Sequence, residues 1–456
     1  MTRWLGWALV ALWVAANPPA RGQDEELERQ AVELLQQYLR IDTTNPPGNE
    51  RPAAQFWYDR FRAAGLEAHL FESAPGRGGV WARLAGHQRG EAVVLLHHLD
   101  VVPADPEQWE HPPFAGVEKG GFVYGRGALD AKGLGTVQAL ALLTLHRRGI
   151  VPPRDVIFLA TPDEEMGGRL GAGWFVEQRL QELGPIAGVL NEGGHIRPAP
   201  NGKLAFEVAV GEKAPLWVRL VASGKAGHGS VPPQETAVTR LLQALVRLQE
   251  WERPLHVTDE VQAYFAALAP LQLGPQQAAF ADLRRALEDA PFRAEFTADP
   301  TQHALVRDTC TPTVLRASQK TNVIPAEASA EIDCRLLPGT DSEAFLRALS
   351  ERVADLGVRV EVLLHFAPSR SPTGTVLFRA FDKLAQREQG VVVPSVLAGF
   401  TDSHYFREKG IPAYGFAPFV LTDAERRTMH GTNERISRAN LRQGAERMMA
   451  LIQAMD

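Results

Sequence analysis

Apolar positions along this chain fall into two rhythms, one helical and one of unbroken short runs. Leu27, Val32, Leu34, Leu35 and Leu39 recur at helical spacing and predict an amphipathic helix. "DTTNPPGNE", Asp42 to Glu50, ends it with a cluster of turn residues, and a second helical pattern follows to about Ala64. Then come runs of strand length: "VVLLHH" (Val93–His98), "DVIFLAT" (Asp155–Thr161) and "IAGVLNE" (Ile186–Glu192). Strands buried on both faces of a parallel sheet read this way, because neither face alternates with water. Between the first two runs, Leu134 to Gly149 is a helix closed by glycine. Buried strands alternating with helices predict an α/β fold with a mainly parallel sheet.

The rhythm changes near Glu212. "APLWVRLVASG" (214–224) alternates as a half-buried strand does, and a helix is expected over Glu235–Glu250. A long, mostly helical stretch continues to about Ala304. Two strands, "TVLRAS" and "ASAEIDCRLL", then flank "QKTNVIP", and a helix (341–356) and a strand (358–364) complete the set. Residues 212–366 thus read as β-α-β-β-α-β, a small α+β unit inserted between 23–211 and 367–456.

Composition changes this picture little. Of 456 residues, 45% are hydrophobic and 22% charged, enough for a sizeable core and more than one domain. A net charge of −6 gives no basic footprint and argues against nucleic acid as a partner. The first residues stand apart. Arg3 precedes thirteen apolar positions, Trp4 to Ala16, short for a membrane span and right for a signal peptide ending near Gly22. Residues 1–22 are therefore expected to direct export to the periplasm or the extracellular space, with an uncleaved anchor as the alternative. The two cysteines, Cys310 and Cys334, would either pair in an oxidising compartment or lie simply buried.

The chemistry sits at strand ends. "VVLLHHLD" delivers His97, His98 and Asp100; "IFLATPDEE" delivers Asp163, Glu164 and Glu165; "AGVLNEGG" delivers Asn191 and Glu192. In open parallel sheets, ligands bind just beyond the carboxyl ends of strands, so three strands ending on acids or imidazoles imply one shared site. Asp130 joins from "YGRGALDAKG" and His430 from "MHGTNE". Adjacent carboxylates such as Glu164 and Glu165 repel one another, and divalent cations reverse that cost. Oxygen and imidazole donors without thiolates suit zinc, manganese or cobalt.

The ordered motifs "HLDVVP", "YGRGALDAKG", "TPDEEMGG", "NEGG", "GHGS", "NVIP…DCRLLPG" and "MHGTNE" resemble the co-catalytic zinc exopeptidase family of aminoacylase, carboxypeptidase S, acetylornithine deacetylase and succinyl-diaminopimelate desuccinylase. The likeness runs from about Leu34 to the C-terminus and is strongest to the carboxypeptidase S and N-fatty-acyl-amino-acid hydrolase branch. It implies a metal-binding catalytic domain formed by 23–211 and 367–456, with 212–366 as a lid or dimerisation domain. It implies two divalent ions, zinc above all, bridged by Asp130. One would take Glu165 and His430, the other His98 and Glu192. Glu164 would be the general base and Asp100 would bond the far nitrogen of His98. His228, Asn322 and Arg335 would grip substrate, His228 across a homodimer interface. His97 and Asp163 are expected to be structural, and Trp109 and Phe114 to line a pocket or simply to pack. Phe400 in "AGFTDSHYF" replaces a glycine usual in the family.

The implied reaction is hydrolysis of an amide beside a carboxylate-bearing amino acid, in a peptide or an N-acyl amino acid. A non-catalytic binding protein on the same scaffold is the competing class, and the intact ligand set argues against it. "GAG" at 171–173 lacks a preceding strand, and no G-x-S-x-G elbow occurs, so dinucleotide binding and serine hydrolysis have no support. The long insertion at 251–310 is expected to cover a large or greasy substrate group.

Overall fold

The unbroken apolar runs form the middle of a nine-stranded sheet in the computed structural model, which describes residues 20–456. The proposed leader, residues 1–22, lies almost wholly outside the described residues. Arg154–Thr161, Gln88–His98, Ile186–Asn191 and Ala413–Gly415 lie side by side and parallel. The hairpin Glu67–Ala74 and Arg77–Leu84 extends one side antiparallel. On the other, Leu204–Glu212 runs antiparallel to Ala413–Gly415 and parallel to the last strand, Val391–Leu397. The expected α/β class and mainly parallel sheet are what the chain adopts.

The helix Lys132–Arg147 is buried along almost its whole length between the sheet and the helices Ala20–Leu39 and Arg438–Gln453. Its glycines set how close it comes. A Cβ on Gly135 would fall 2.2 Å from His97 Nε2, so only glycine lets this helix lie on the strand. Successive strand side chains point to opposite faces. His97 accordingly turns into the core, its Nε2 3.2 Å from the Tyr38 hydroxyl, and burial pushes its pKa down to about 3. His98 turns the other way.

The second sheet, ordered Thr309–Arg316, Glu327–Leu336, Ala214–Ser223 and Val358–His365, is antiparallel throughout. Ala237–Glu250 and Ser342–Ala354 cover one face. This is the β-α-β-β-α-β unit read from sequence. Cys310 and Cys334 stand directly opposite on neighbouring strands and form a disulfide. Within the 212–366 stretch, the helices between Asp259 and Leu305 leave this small sheet. Val261, Phe265 and Leu268 share a core with Val393 and Val396, so the helices roof the last strand of the large sheet. Unroofed, those apolar side chains would face water at the edge of the sheet.

Candidate metal centre

Three of the parallel strands deliver ligands where the chain leaves the sheet. His98 ends Gln88–His98, Glu192 follows Ile186–Asn191, and Glu164 and Glu165 lie in the turn after Arg154–Thr161. Asp163 enters that turn with φ of 77°, a left-handed conformation that short polar residues adopt more easily than bulky ones. Its carboxylate accepts from Arg77 Nη2 and from the Leu170 amide, each at 2.8 Å, so Asp163 braces the loop.

Asp130 lies at the middle. One carboxylate oxygen is 2.9 Å from His98 Nε2, which in turn lies 3.4 Å from Glu192. The other is 3.0 Å from His430 Nε2, itself 3.3 Å from Glu165. The donor atoms of His98, Glu164 and Glu192 fall within 4.8 Å of one another, as do those of His98, Asp130 and Glu165. One carboxylate thus faces two separate imidazole–carboxylate pairs, the arrangement that a bridging ligand between two ions requires.

The electrostatics favour cations. Burial, then the charge of Glu192, pushes the Glu164 carboxyl well above the usual range. Burial likewise raises Glu165, and Glu192 to about 7. His430 is lifted to about 10 by its bonds to Asp130 and Glu165. Ionised, the carboxylates of Asp130, Glu164, Glu165 and Glu192 carry four negative charges, which two divalent ions match. The donor set fits them.

Asp100 bonds the far nitrogen of His98 as expected, through its main chain. His98 Nδ1 bonds the main-chain carbonyl of Asp100 at 2.9 Å, while the Asp100 carboxylate is 3.6 Å from that nitrogen. The ring is fixed by the residue named, but by its backbone. The carboxylate instead accepts from the amides of Glu164 and Glu165, both at 3.1 Å, and from Asn45 at 2.8 Å. It shapes the turn that carries both glutamates.

Two other acids act behind the ligands without having been singled out. Glu434, fully buried, accepts from the amides of Gly127, Leu129 and Asp130 and from Arg126 Nη1 at 2.7 Å. It holds the Asp130 loop, and its place in "MHGTNE" was the only local sign. Asp402 accepts the Thr161 hydroxyl at 3.0 Å, and burial pushes its carboxyl well above the usual range.

A cavity of about 660 Å³ opens over the cluster, lined by Asp130, Glu164, Glu165, Glu192, His430 and Arg335 among others. Asp333 holds the Arg335 guanidinium at 2.7 and 3.2 Å, the Phe400 and Trp217 rings flank it at 5.0 and 5.6 Å, and its Nη1 is buried without a partner. Phe400 therefore takes up, through its ring, a position beside the residue expected to grip a carboxylate. His228 and Asn322 lie elsewhere. Both are exposed on the small pairing of Gly227–His228 with Val323–Ile324, and neither lines the cavity. Trp109 packs on Arg126, 5.2 Å from its guanidinium, and Phe114 likewise stays outside the cavity wall.

Comparison with known proteins agrees with this geometry. The model of peptidase family M20/M25/M40 matches residues 94–454. The chain belongs to that family. It is 33% identical over 375 residues to the N-fatty-acyl-amino acid synthase/hydrolase PM20D1 of Xenopus tropicalis, covering 80% of this chain and 72% of that protein. It is 29% identical to aminoacylase-1 of Pongo abelii over 96% of this chain and 97% of that one. Among solved structures, an M20 family metallo-carboxypeptidase from Sulfolobus solfataricus superposes with a TM-score of 0.74 at 19% identity, over 93% of this chain and 99% of the other. Human carnosine dipeptidase 1 does so at 0.72 and 15%, over 96% and 99%. The resemblance carried by the seven motifs is thereby upheld, and this M20 protein has the fold of those structures.

Proposed function

We propose that this M20 protein is an exported, metal-dependent amide hydrolase that frees an amino acid bearing an unblocked carboxylate. The observation that carries the reading is the placement of Asp130 between His98 and His430, one oxygen to each, beside Glu164 and in one cavity with the unpartnered Arg335 Nη1. His98, Glu192 and one oxygen of Asp130 would hold one ion; His430, Glu165 and the other oxygen would hold the second. A dinuclear metal-binding peptidase of Bacillus subtilis, similar in fold with a TM-score of 0.59, supports a two-ion site. Zinc is the ion proposed. When bound, the pair supplies Lewis acidity and brings water towards a neutral-range pKa of about 7.

The chain's own residues do the rest. Arg335 binds the substrate carboxylate through a charge-assisted bond, which sets the amide against the cluster. Glu164 takes a proton from the attacking water and returns it to the amine nitrogen as the C–N bond breaks. Asp100 and Glu434 hold the two loops in register by their amide bonds.

Two further parts of the reading concern place and partners. The disulfide supports export, since such bonds persist in oxidising compartments. His228 and Asn322, exposed and away from their own cavity, support a homodimer in which each chain completes the other's site. The test is amino-acid release from a dipeptide ending in phenylalanine and from N-lauroyl-phenylalanine, with zinc, manganese or cobalt supplied. Release by the wild type and loss in Glu164→Gln, at unchanged metal content, supports hydrolysis. Silence of the wild type on both substrates overturns it.

A further inference from the structure

Two buried charged residues stand side by side where Leu204–Glu212 hands over to the inserted unit. Glu212 is occupied within the catalytic domain: it pairs with Arg407 at 2.7 Å and accepts from the Thr401 amide and hydroxyl at 2.9 and 3.1 Å. Lys213 is fully buried, does not line the cavity, and has no part in the reaction above. A lysine taken out of water in this way must regain its hydrogen bonds inside the protein.

Its Nζ donates to the main-chain carbonyls of Ala304 and Arg307 at 2.9 and 2.8 Å and to the Thr309 hydroxyl at 3.2 Å. These acceptors lie where the helical insertion ends, between helix Pro300–Leu305 and strand Thr309–Arg316. The last carbonyls of a helix have no partner within it, which leaves the Ala304 oxygen free to accept. Burial pushes the Lys213 pKa down to about 8, against the pull of Asp308, so at neutral pH these are bonds from a cation. The Lys213 amide meanwhile donates to the Leu397 carbonyl at 2.9 Å. One residue thus ties the end of the insertion to the last strand of the large sheet.

Leu305 lies between the two tied carbonyls. It shares a core with Val393 and Val396 and lines the cavity. The insertion gives the cavity two kinds of wall. Tyr264 bonds Glu207 at 3.1 Å, and with His195, 4.0 Å from that carboxylate, they form a polar region. Leu305, with Val396, Phe419 and Leu421, is apolar. The strand that carries Val396 is three strands across the sheet from the one that precedes Glu192. At about 4.8 Å per strand, this apolar wall stands roughly 14 Å from the metal ligands, within reach of a long acyl chain and out of reach of an acetyl group.

We propose that Lys213 is a positioning residue for acyl-group recognition. By holding the Ala304 and Arg307 carbonyls it sets Leu305 against Val396 and fixes the wall on which a long acyl chain lies. This rests on the hydrolase reading above.

The test is KM and kcat for N-lauroyl-phenylalanine and N-acetyl-phenylalanine in wild type, Lys213→Met, Leu305→Ala and the double variant. KM does not depend on how much of the enzyme is folded. In Lys213→Met the lauroyl KM should rise roughly threefold to tenfold, part of what a buried leucine contact contributes. Its kcat should change little, because a contact remote from the amide acts equally on bound substrate and transition state. The acetyl KM should rise far less. Leu305→Ala should raise the lauroyl KM by itself, and adding Lys213→Met should raise it little further, since the wall being positioned is already gone. Should Lys213→Met not fold, Lys213→Gln, which keeps a donor, should show a smaller rise in the same lauroyl KM. An unchanged lauroyl KM, equal rises for both substrates, or a full added effect in the Leu305→Ala background overturns the role of Lys213 alone. No hydrolysis of either substrate by the wild type with metal supplied overturns the hydrolase reading and this proposal with it.

Discussion

Replacing Glu434 by glutamine should weaken metal binding and stability together, and the structure says by how much. Its two carboxylate oxygens are used as two pairs: Oε1 accepts from the amides of Leu129 and Asp130, Oε2 from Arg126 and the Gly127 amide. An amide side chain keeps one acceptor and turns a donor on the other pair, whichever way it is flipped. Arg126, only 3% exposed, then keeps a buried charge with no carboxylate. Breaking a buried pair from one side costs about 3–5 kcal/mol, and the surviving acceptor places Glu434→Gln near the lower end. Asp130 sits on the loop so loosened, and losing support behind a ligand typically weakens metal affinity about 10–100-fold.

Both quantities are measurable, by urea unfolding and by competition for zinc against a chelator of known affinity. A compensated variant separates them. Arg126→Met in the Glu434→Gln background removes the stranded charge, so part of the lost stability should return. The Asp130 loop still lacks one of its acceptors, and affinity should stay low. Wild-type unfolding and wild-type zinc affinity in Glu434→Gln would refute the reasoning. Recovery of both in the compensated variant would assign the whole effect to the Arg126 charge and none to the loop.

Chelator should abolish amino-acid release, and added zinc, manganese or cobalt should restore it; activity that survives complete removal, checked by metal analysis, contradicts the site. Phe400→Gly removes one of the two rings flanking Arg335 and should raise KM roughly two- to fivefold, as expected for one cation–π contact, with kcat little changed. The paired variant Cys310→Ser/Cys334→Ser should lose about 2–4 kcal/mol by denaturant titration. Its KM should hold, since Cys334 packs with Ile332 and Leu336 on the face opposite Arg335. Mixing inactive His228→Ala and Glu164→Gln chains under subunit exchange should restore roughly a quarter of wild-type activity if each dimer shares its sites, whereas no recovery would speak against a shared site.

What the sequence made legible was whatever acts close to its own position in the chain. The buried strands show as unbroken apolar runs, and the ligands show as acids and imidazoles at the ends of those runs. What stayed hidden depends on contacts between distant residues. Glu434 acts on Asp130 from 304 positions away, and beyond its place in "MHGTNE" nothing in its neighbours records that. For Asp100 the residue that bonds His98 was legible and the atom was not, because the path of the backbone after His98 decides whether a carbonyl or a carboxylate meets the ring.

The insertion marks the boundary between the two kinds of information. Val261, Phe265 and Leu268 recur at helical spacing and predict a buried stripe, but the pattern is silent on what the stripe covers. Tertiary structure supplies Val393 and Val396 as its partners. Once that contact is fixed, much else follows. Val393 pairs in register with Glu207, so Tyr264, one residue from Phe265 on the flank of the stripe, comes within reach of the Glu207 carboxylate. A helix that reads from sequence as mere cover thus supplies a wall of the cavity, and the polar region around His195 exists only because an apolar stripe found that one strand.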